Sequence, residues 1–155
     1  MPINSVSFVR DVTLWARDVI SGAVADPVSD RQRQSGDPGS NARFIMTSWP
    51  ERSVVYPFIT VQDVSMTDQN LGASTEDSLV SIRMQVDVWG KQKGQTDGLA
   101  GSAYYALRTT QLDSNGGVGS GLFDFKLLSS RNLDEAGKGG VHRKSMDFSW
   151  NFIAT

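Results

Sequence analysis

Residues 79–91 read LVSIRMQVDVWGK. Val80, Ile82, Met84, Val86 and Val88 share one parity, and Ser81, Arg83, Gln85 and Asp87 share the other. Successive side chains of a strand point to opposite faces, so this stretch is a β-strand with one apolar and one wetter face. Trp89 breaks the polar parity just before Gly90, where the strand should stop. The stretch carries no chemistry of its own; it is scaffold, and the rest of the chain is read around it.

The nearest match is at the C-terminal end. Over residues 141–153, Met146, Phe148, Trp150 and Phe152 alternate with Ser145, Asp147, Ser149 and Asn151, which predicts a second half-buried strand. Upstream of the central strand, Phe58–Val64 is a strand entered through Pro57, a residue tolerated at a strand's start. The polar connection 65–78 then joins it to the central strand as an antiparallel hairpin with a long tip. Arg43–Trp49 is a short strand candidate. Phe123–Leu133 is another, on the alternation of Phe123, Phe125 and Leu127, and 134–140 (DEAGKGG) is a turn.

Two segments carry helical spacing. Ser5–Ile20 places Phe8, Val12, Trp15 and Val19 on one stripe, widened by Val9, Ala16 and Ile20, with Ser5 or Ser7 as cap and Gly22 as stop. Thr96–Leu112 has Leu99, Ala103, Ala106 and Leu107 as its apolar face and Thr96 as cap. Gly98 and Gly101 share a face with Tyr105 and cost about 1 kcal/mol each against alanine, so either another backbone approaches there or the first turn frays. The order α, β, β, β, α, β, β predicts an α+β fold: a mostly antiparallel β-sheet of four to five strands with two helices packed on one face.

A length of 155 residues predicts a single domain with enough core to need no staples. Hydrophobic residues at 39% and fifteen glycines are lean for a compact monomer, and the polar connections 22–41, 65–78 and 113–121 are long. The chain is therefore expected to complete its burial with partners. A net charge of −2 points away from nucleic-acid and anionic-membrane surfaces. There is no cysteine, hence no disulfide and no thiolate nucleophile. The N-terminus, MPINSVSFVRDV, reads as neither signal peptide nor membrane segment.

No motif adds up to a catalytic, cofactor or metal site. His142 is the only histidine, and Arg143 and Lys144 beside it repel a cation, so it reads as a structural strand-edge residue. The glycine-rich GGVGSG (116–121) and AGKGG (136–140) lack the phosphate-loop spacing, and neither opens a helix. Asp63 and Asp87 fall on neighbouring strands as a carboxylate pair, but Arg83 shares the face of Asp87 and favours an ordinary polar network. Arg31 and Arg33 read as a solvated loop. Trp15, Trp49, Trp89 and Trp150 read as core and interface, because base stacking goes with a positive groove.

Taken in order, these pieces resemble the tail-completion proteins of long-tailed viruses, the tail terminators and tail-to-head joining proteins. The resemblance rests on Tyr56-Pro57-Phe58-Ile59-Thr60-Val61, on Val86-Asp87-Val88-Trp89-Gly90-Lys91, on Ala103-Tyr104-Tyr105-Ala106-Leu107, and on His142-Arg143 leading into the last strand. It spans residues 5–20 and 54–153, and 22–53 is longer than the family pattern. It implies an α+β structural subunit with no catalysis and no cofactor. It also implies a homo-hexamer at the head-proximal end of the tail, made in the host cytoplasm and located in the virion at the head–tail interface. The implied partners are the major tail tube protein and the head completion or connector protein. Genomic double-stranded DNA would pass through the lumen without sequence-specific binding, and no membrane is involved. The competing expectation is a stand-alone α+β module that holds a small molecule or peptide against its sheet.

Overall fold

A computed structural model of the protein describes residues 8–28, 44–47, 54–72, 77–112, 121–133 and 140–154. Its elements are α1 (Phe8–Ala23), β1 (Ile45–Met46), β2 (Phe58–Asn70), β3 (Ser78–Gly90), α2 (Lys93–Leu112), β4 (Phe123–Asn132) and β5 (His142–Ala154). The five strands form one sheet in the order β1-β2-β3-β5-β4. All neighbours pair antiparallel except β1, which lies parallel to the start of β2. The expected α+β class and element order hold.

β3 is the spine. It pairs with β5 along its whole length, Ser78 opposite Ala154 and Gly90 opposite His142. Val80, Ile82, Met84, Val86 and Val88 are buried on the side that also receives Met146, Phe148, Trp150 and Phe152 from β5. Fully burying a side chain of this size contributes about 1.5–3 kcal/mol, so these two strands hold much of the hydrophobic stabilisation. Both helices pack on this side. α1 sets Phe8 on Phe152 and the Trp15 edge on Trp150, and α2 stacks Tyr104 on Phe148.

Several predicted boundaries move. α1 runs through Gly22 to Ala23, and the candidate caps Ser5 and Ser7 lie outside the described residues. α2 starts at Lys93, so Thr96 is not a cap. Its hydroxyl donates to the Gln92 carbonyl at 2.8 Å from within the first turn, and it is buried because Gly90 leaves room for it. Among the described residues Gly98 and Gly101 meet no atom within 4 Å of where a Cβ would stand, so no described backbone outside α2 approaches them; Gly101 also lies too deep in α2 for a frayed first turn. The connections 29–41, 73–76, 113–120 and 134–139 lie outside the described residues, as does Trp49.

The largest correction concerns 65–78. Residues 65–70 are not a loop; they extend β2 to thirteen residues and pair with Arg83 back to Ser78. A bulge at Val64 separates the two register segments. It shifts the parity, so Val61 and Asp63 before it, and Met66 and Asp68 after it, all project to the helix side. Polar composition hid this segment, because its partner strand rather than its own pattern makes it extended. β4 departs similarly. Phe123, Phe125 and Leu127 do not share a face, since bulges fall between Phe123 and Lys126 and between Leu127 and Ser129. Only Phe125 reaches the core, against Phe148 and Trp150. Asp124 holds φ 59° in the first bulge, a left-handed conformation that aspartate tolerates better than most residues.

Candidate functional site

The surface of interest is the sheet face opposite the helices, together with the sheet's two edges. Among the described residues no helix lies on that face. It is built from the polar parity of β3 and β5, and its side chains bond across strands into a ladder. Ser81 Oγ donates to Asn151 Oδ1 at 2.6 Å, and Asn151 Nδ2 donates to Asp124 at 2.9 Å. Arg83 Nη2 donates to Asp147 Oδ2 at 2.6 Å, and Ser129 Oγ donates to the same oxygen at 3.0 Å. Arg143 Nη2 meets Asp87 Oδ2 at 2.9 Å, while Gln85 Nε2 bridges Asp87 and Ser145.

Asp87 and Asp147 are buried although no helix covers them, because their own partners close over them. Burial pushes the Asp147 carboxyl up. The hydrogen bonds from Arg83 and Ser129, with the charges of Arg83 and Arg131, outweigh that and hold it below the usual carboxylate range. Lys126 sits 3.4 Å from Asp124. Each of these three carboxylates thus has its own cation on the face.

One end of the face is apolar. Phe58 and Trp89 stack at 5.9 Å with Val141 buried beside them, and Met46, Val54 and Tyr56 pack around the group. Trp89 Nε1 donates to Thr60 Oγ1 at 3.3 Å, and the Arg143 guanidinium covers the indole at 4.5 Å. This explains the parity break at Trp89: the ring fills a second, smaller cluster on the helix-free side.

The edges differ from the face. β1 covers only the first residues of β2, pairing with Ile59 and Thr60. Beyond Val61, every β2 residue through Asn70 is exposed, with Val64 and Met66 nearly half accessible. On the opposite edge, β4 exposes Phe123, Leu127 and Leu128.

The structure separates some pairs considered from sequence. Asp63 lies opposite Met84 and projects to the helix side, whereas Asp87 lies opposite Thr60 on the other face, so they form no carboxylate pair. Arg83 and Asp87 share a face, but Arg83 serves Asp147 and Arg143 serves Asp87. His142 begins β5 opposite Gly90. Among the described residues no group of three or more histidine, aspartate or glutamate side chains could hold a metal ion, and no helix is long and apolar enough to cross a membrane. The exposed half of β2 was missed by sequence reasoning. Its only signal was the spacing of Val64 and Met66 within a polar run.

A family model described as tail completion protein gp17 matches residues 39–152, about three quarters of the chain. The chain belongs to this tail-completion family. It is thus a structural component of a viral tail, located in the virion, where tail assembly brings it against other tail and head proteins. The fold of this chain also recurs among solved structures. A chain from the virion of a native gene transfer agent particle aligns with a TM-score of 0.58 at 10% identity, covering 89% of this chain and 94% of that one. A likeness at that identity concerns the fold. The comparison with curated proteins returned no match.

Proposed function

We propose that this tail-completion protein is one subunit of a ring that closes the head-proximal end of the tail tube and docks it to the head connector, with the genome passing through its lumen. The observation that carries this reading is the distal half of β2. It is an extended, bulged strand exposed at every position from Gln62 to Asn70, and among the described residues no strand pairs with its outer edge. Exposed strand edges invite pairing with another chain, and a solitary protein blunts them with proline, lysine, inward-pointing charge, a bulge or a covering segment. Residues 62–70, QDVSMTDQN, contain no proline or lysine; the bulge at Val64 and the charges of Asp63 and Asp68 narrow the choice of partner. A ring of identical subunits uses a heterologous contact repeated until the rotation closes, which leaves two unlike faces for tube and connector.

The helix-free face supports the same reading. A lumen through which DNA slides must not present unpaired cations, since neutralised phosphates hold the duplex by counterion release. Here Arg83, Arg143 and Lys126 are each engaged by a carboxylate, and the charge of Arg131 on the same face acts on Asp147. Particles made without the protein should accumulate as DNA-filled heads and separate tails, visible by electron microscopy, and native mass spectrometry should show a ring, alone at high concentration or with tail-tube protein. Normally joined, infectious particles would end the reading. Joined tails of abnormal length would favour a pure terminator role.

A further inference from the structure

β3 and β5 pair along their whole length, from Ser78 opposite Ala154 to Gly90 opposite His142. α2 and β4 lie between them in the chain, so no turn sets their register. The apolar alternation does not set it either. A slip of one residue turns every side chain to the wrong face, but a slip of two residues keeps each on its own face. Two such slips compete with the native register, one in each direction. The first brings Lys144 opposite Val86 and His142 opposite Val88. Both valines are wholly buried, so this slip drives a lysine into the core. The second brings Met146 opposite Val88, Phe148 opposite Val86, Trp150 opposite Met84 and Phe152 opposite Ile82. It sets apolar against apolar at each of these positions, so the apolar pattern accepts it.

The polar face rejects it. β3 carries Arg83-Met84-Gln85-Val86-Asp87, and β5 carries Arg143-Lys144-Ser145-Met146-Asp147. Each copy has an arginine, a polar residue two positions on and an aspartate two beyond that, all on the helix-free side. A local two-fold through the Val86–Met146 pair relates the copies. Each arginine reaches the aspartate two positions along the other strand. Arg83 opposes Ser149 and bonds Asp147 at 2.6 Å; Arg143 opposes Trp89 and bonds Asp87 at 2.9 Å. Gln85 Nε2 lies between the two pairs and donates to Asp87 and Ser145. In the second slip, Asp87 stands directly opposite Asp147. Directly opposed residues have Cβ atoms about 4.5–5.5 Å apart, where like charges repel. Each arginine is then four residues, about 13 Å, along the strand from its former aspartate. The two-fold makes one slip break both pairs at once. It strips the cation from two carboxylates that are buried in the native protein.

We propose that this twinned motif is the register lock of the sheet: it excludes the one two-residue slip that the alternating apolar residues accept. Lys144 excludes the opposite slip from the other face, so the two directions are guarded by different side chains. The lock belongs to the subunit itself and is independent of how subunits assemble. The register it selects also lays the Arg143 guanidinium over the Trp89 indole, and so closes the apolar cluster of Phe58, Trp89 and Val141.

The absence of native cysteine lets engineered pairs report the register directly. Ser81→Cys with Asn151→Cys are opposed in the native register, and Ser81→Cys with Ile153→Cys are opposed in the second slip. A disulfide needs Cβ atoms about 3.5–4.5 Å apart, closer than diagonal neighbours come, so each pair closes only in its own register. The pairs are placed in the full-length chain, oxidised mildly and quantified by peptide mapping without reduction. With the motif intact, the first pair should close and the second should stay open. Arg83→Asp with Asp87→Arg reverses the charges of β3 alone. It sets acid beside acid and base beside base in the native register, and an arginine opposite Asp147 in the second slip. The Ser81→Cys/Ile153→Cys disulfide should then become the major one. Adding Arg143→Asp with Asp147→Arg restores both crossed pairs with their signs reversed. The Ser81→Cys/Asn151→Cys disulfide should again be the major one, and the melting temperature should rise back towards that of the unmodified motif. A β3 exchange that still closes only the native pair overturns the lock. If the β3 exchange fails to fold, the four-residue exchange decides: recovery of the fold and of the native disulfide supports the lock, and failure to recover overturns it.

Discussion

The two halves of β2 are one continuous strand in two environments. Phe58–Val61 is buried at every position, and Gln62–Asn70 is exposed at every position. The first half lies under α1 and beside β1; among the described residues the second pairs only with β3. α1 reaches the same level of the sheet through Phe8 on Phe152, yet leaves β2 outside its footprint. The difference shows where stability resides and where surface is left for other chains. Apolar burial fixes the first half, whereas main-chain hydrogen bonds keep the second half extended at a net gain of only about 0.5–1.5 kcal/mol each.

The contrast can be broken most severely by placing a charge in either environment. Val61→Asp, like Met84→Asp or Phe148→Asp in the neighbouring strands, should leave the protein insoluble, because an unpaired buried charge costs several kcal/mol against a total stability of about 5–15 kcal/mol. Met66→Asp, five residues along the same strand, should melt within a few degrees of wild type. Equal damage by circular dichroism at Val61 and Met66 would mean that the distal half is covered in the free subunit.

A smaller effect is expected where β3 ends. A side chain at Gly90 would run into the Thr96 hydroxyl. Gly90→Val should therefore displace the first turn of α2 and cost about 1–3 kcal/mol by chemical denaturation. If it does not, the turn moves freely and α2 is less tightly tied to the sheet than its contacts imply.

The helix-free face should be more forgiving. Arg83→Ala removes the main partner of a nearly buried carboxylate, but Arg83 is itself substantially exposed and Ser129 remains, so the loss should be about 1–2 kcal/mol. The Asp147 carboxyl is held below its usual range in the folded protein, so its contribution is fully present above the unfolded value near ~4 and is lost as pH falls through the folded one. The gap in melting temperature between wild type and Asp147→Asn should hold from neutral pH to about 5 and narrow below about 4. A gap that is constant down to strong acid would show that Arg83 adds nothing to the ionised form.

His142→Ala should be the mildest, with a stability change of about 0.5–1 kcal/mol and unimpaired infectivity. A variant that assembles into normal particles yet fails to infect would give the histidine an active role.

β3 and β5 were legible in the sequence because each is buried on one face along its whole length, and a period of two reports that condition directly. The helical stripe of α1 was legible from its own period, and the polar parities holding Ser81 and Arg83 on one strand and Asp147 and Asn151 on the other were legible strand by strand. The pairing of Arg83 with Asp147 was not, since register between β3 and β5 is a tertiary quantity that no local pattern contains. The same limit hid the distal half of β2. Its residues bury nothing, so they carry no periodicity, and only the partner strand decides that they are extended. In β4 the pattern was present and misled, because two bulges send Phe123 and Leu127 to opposite faces. The sequence by itself determined the α+β class, the two core strands and the absence of thiol chemistry, since these depend on composition and on side chains alternating along a single strand. Only the tertiary structure decided the free edges and the helix-free face, because an edge is defined by which strand is missing beside it.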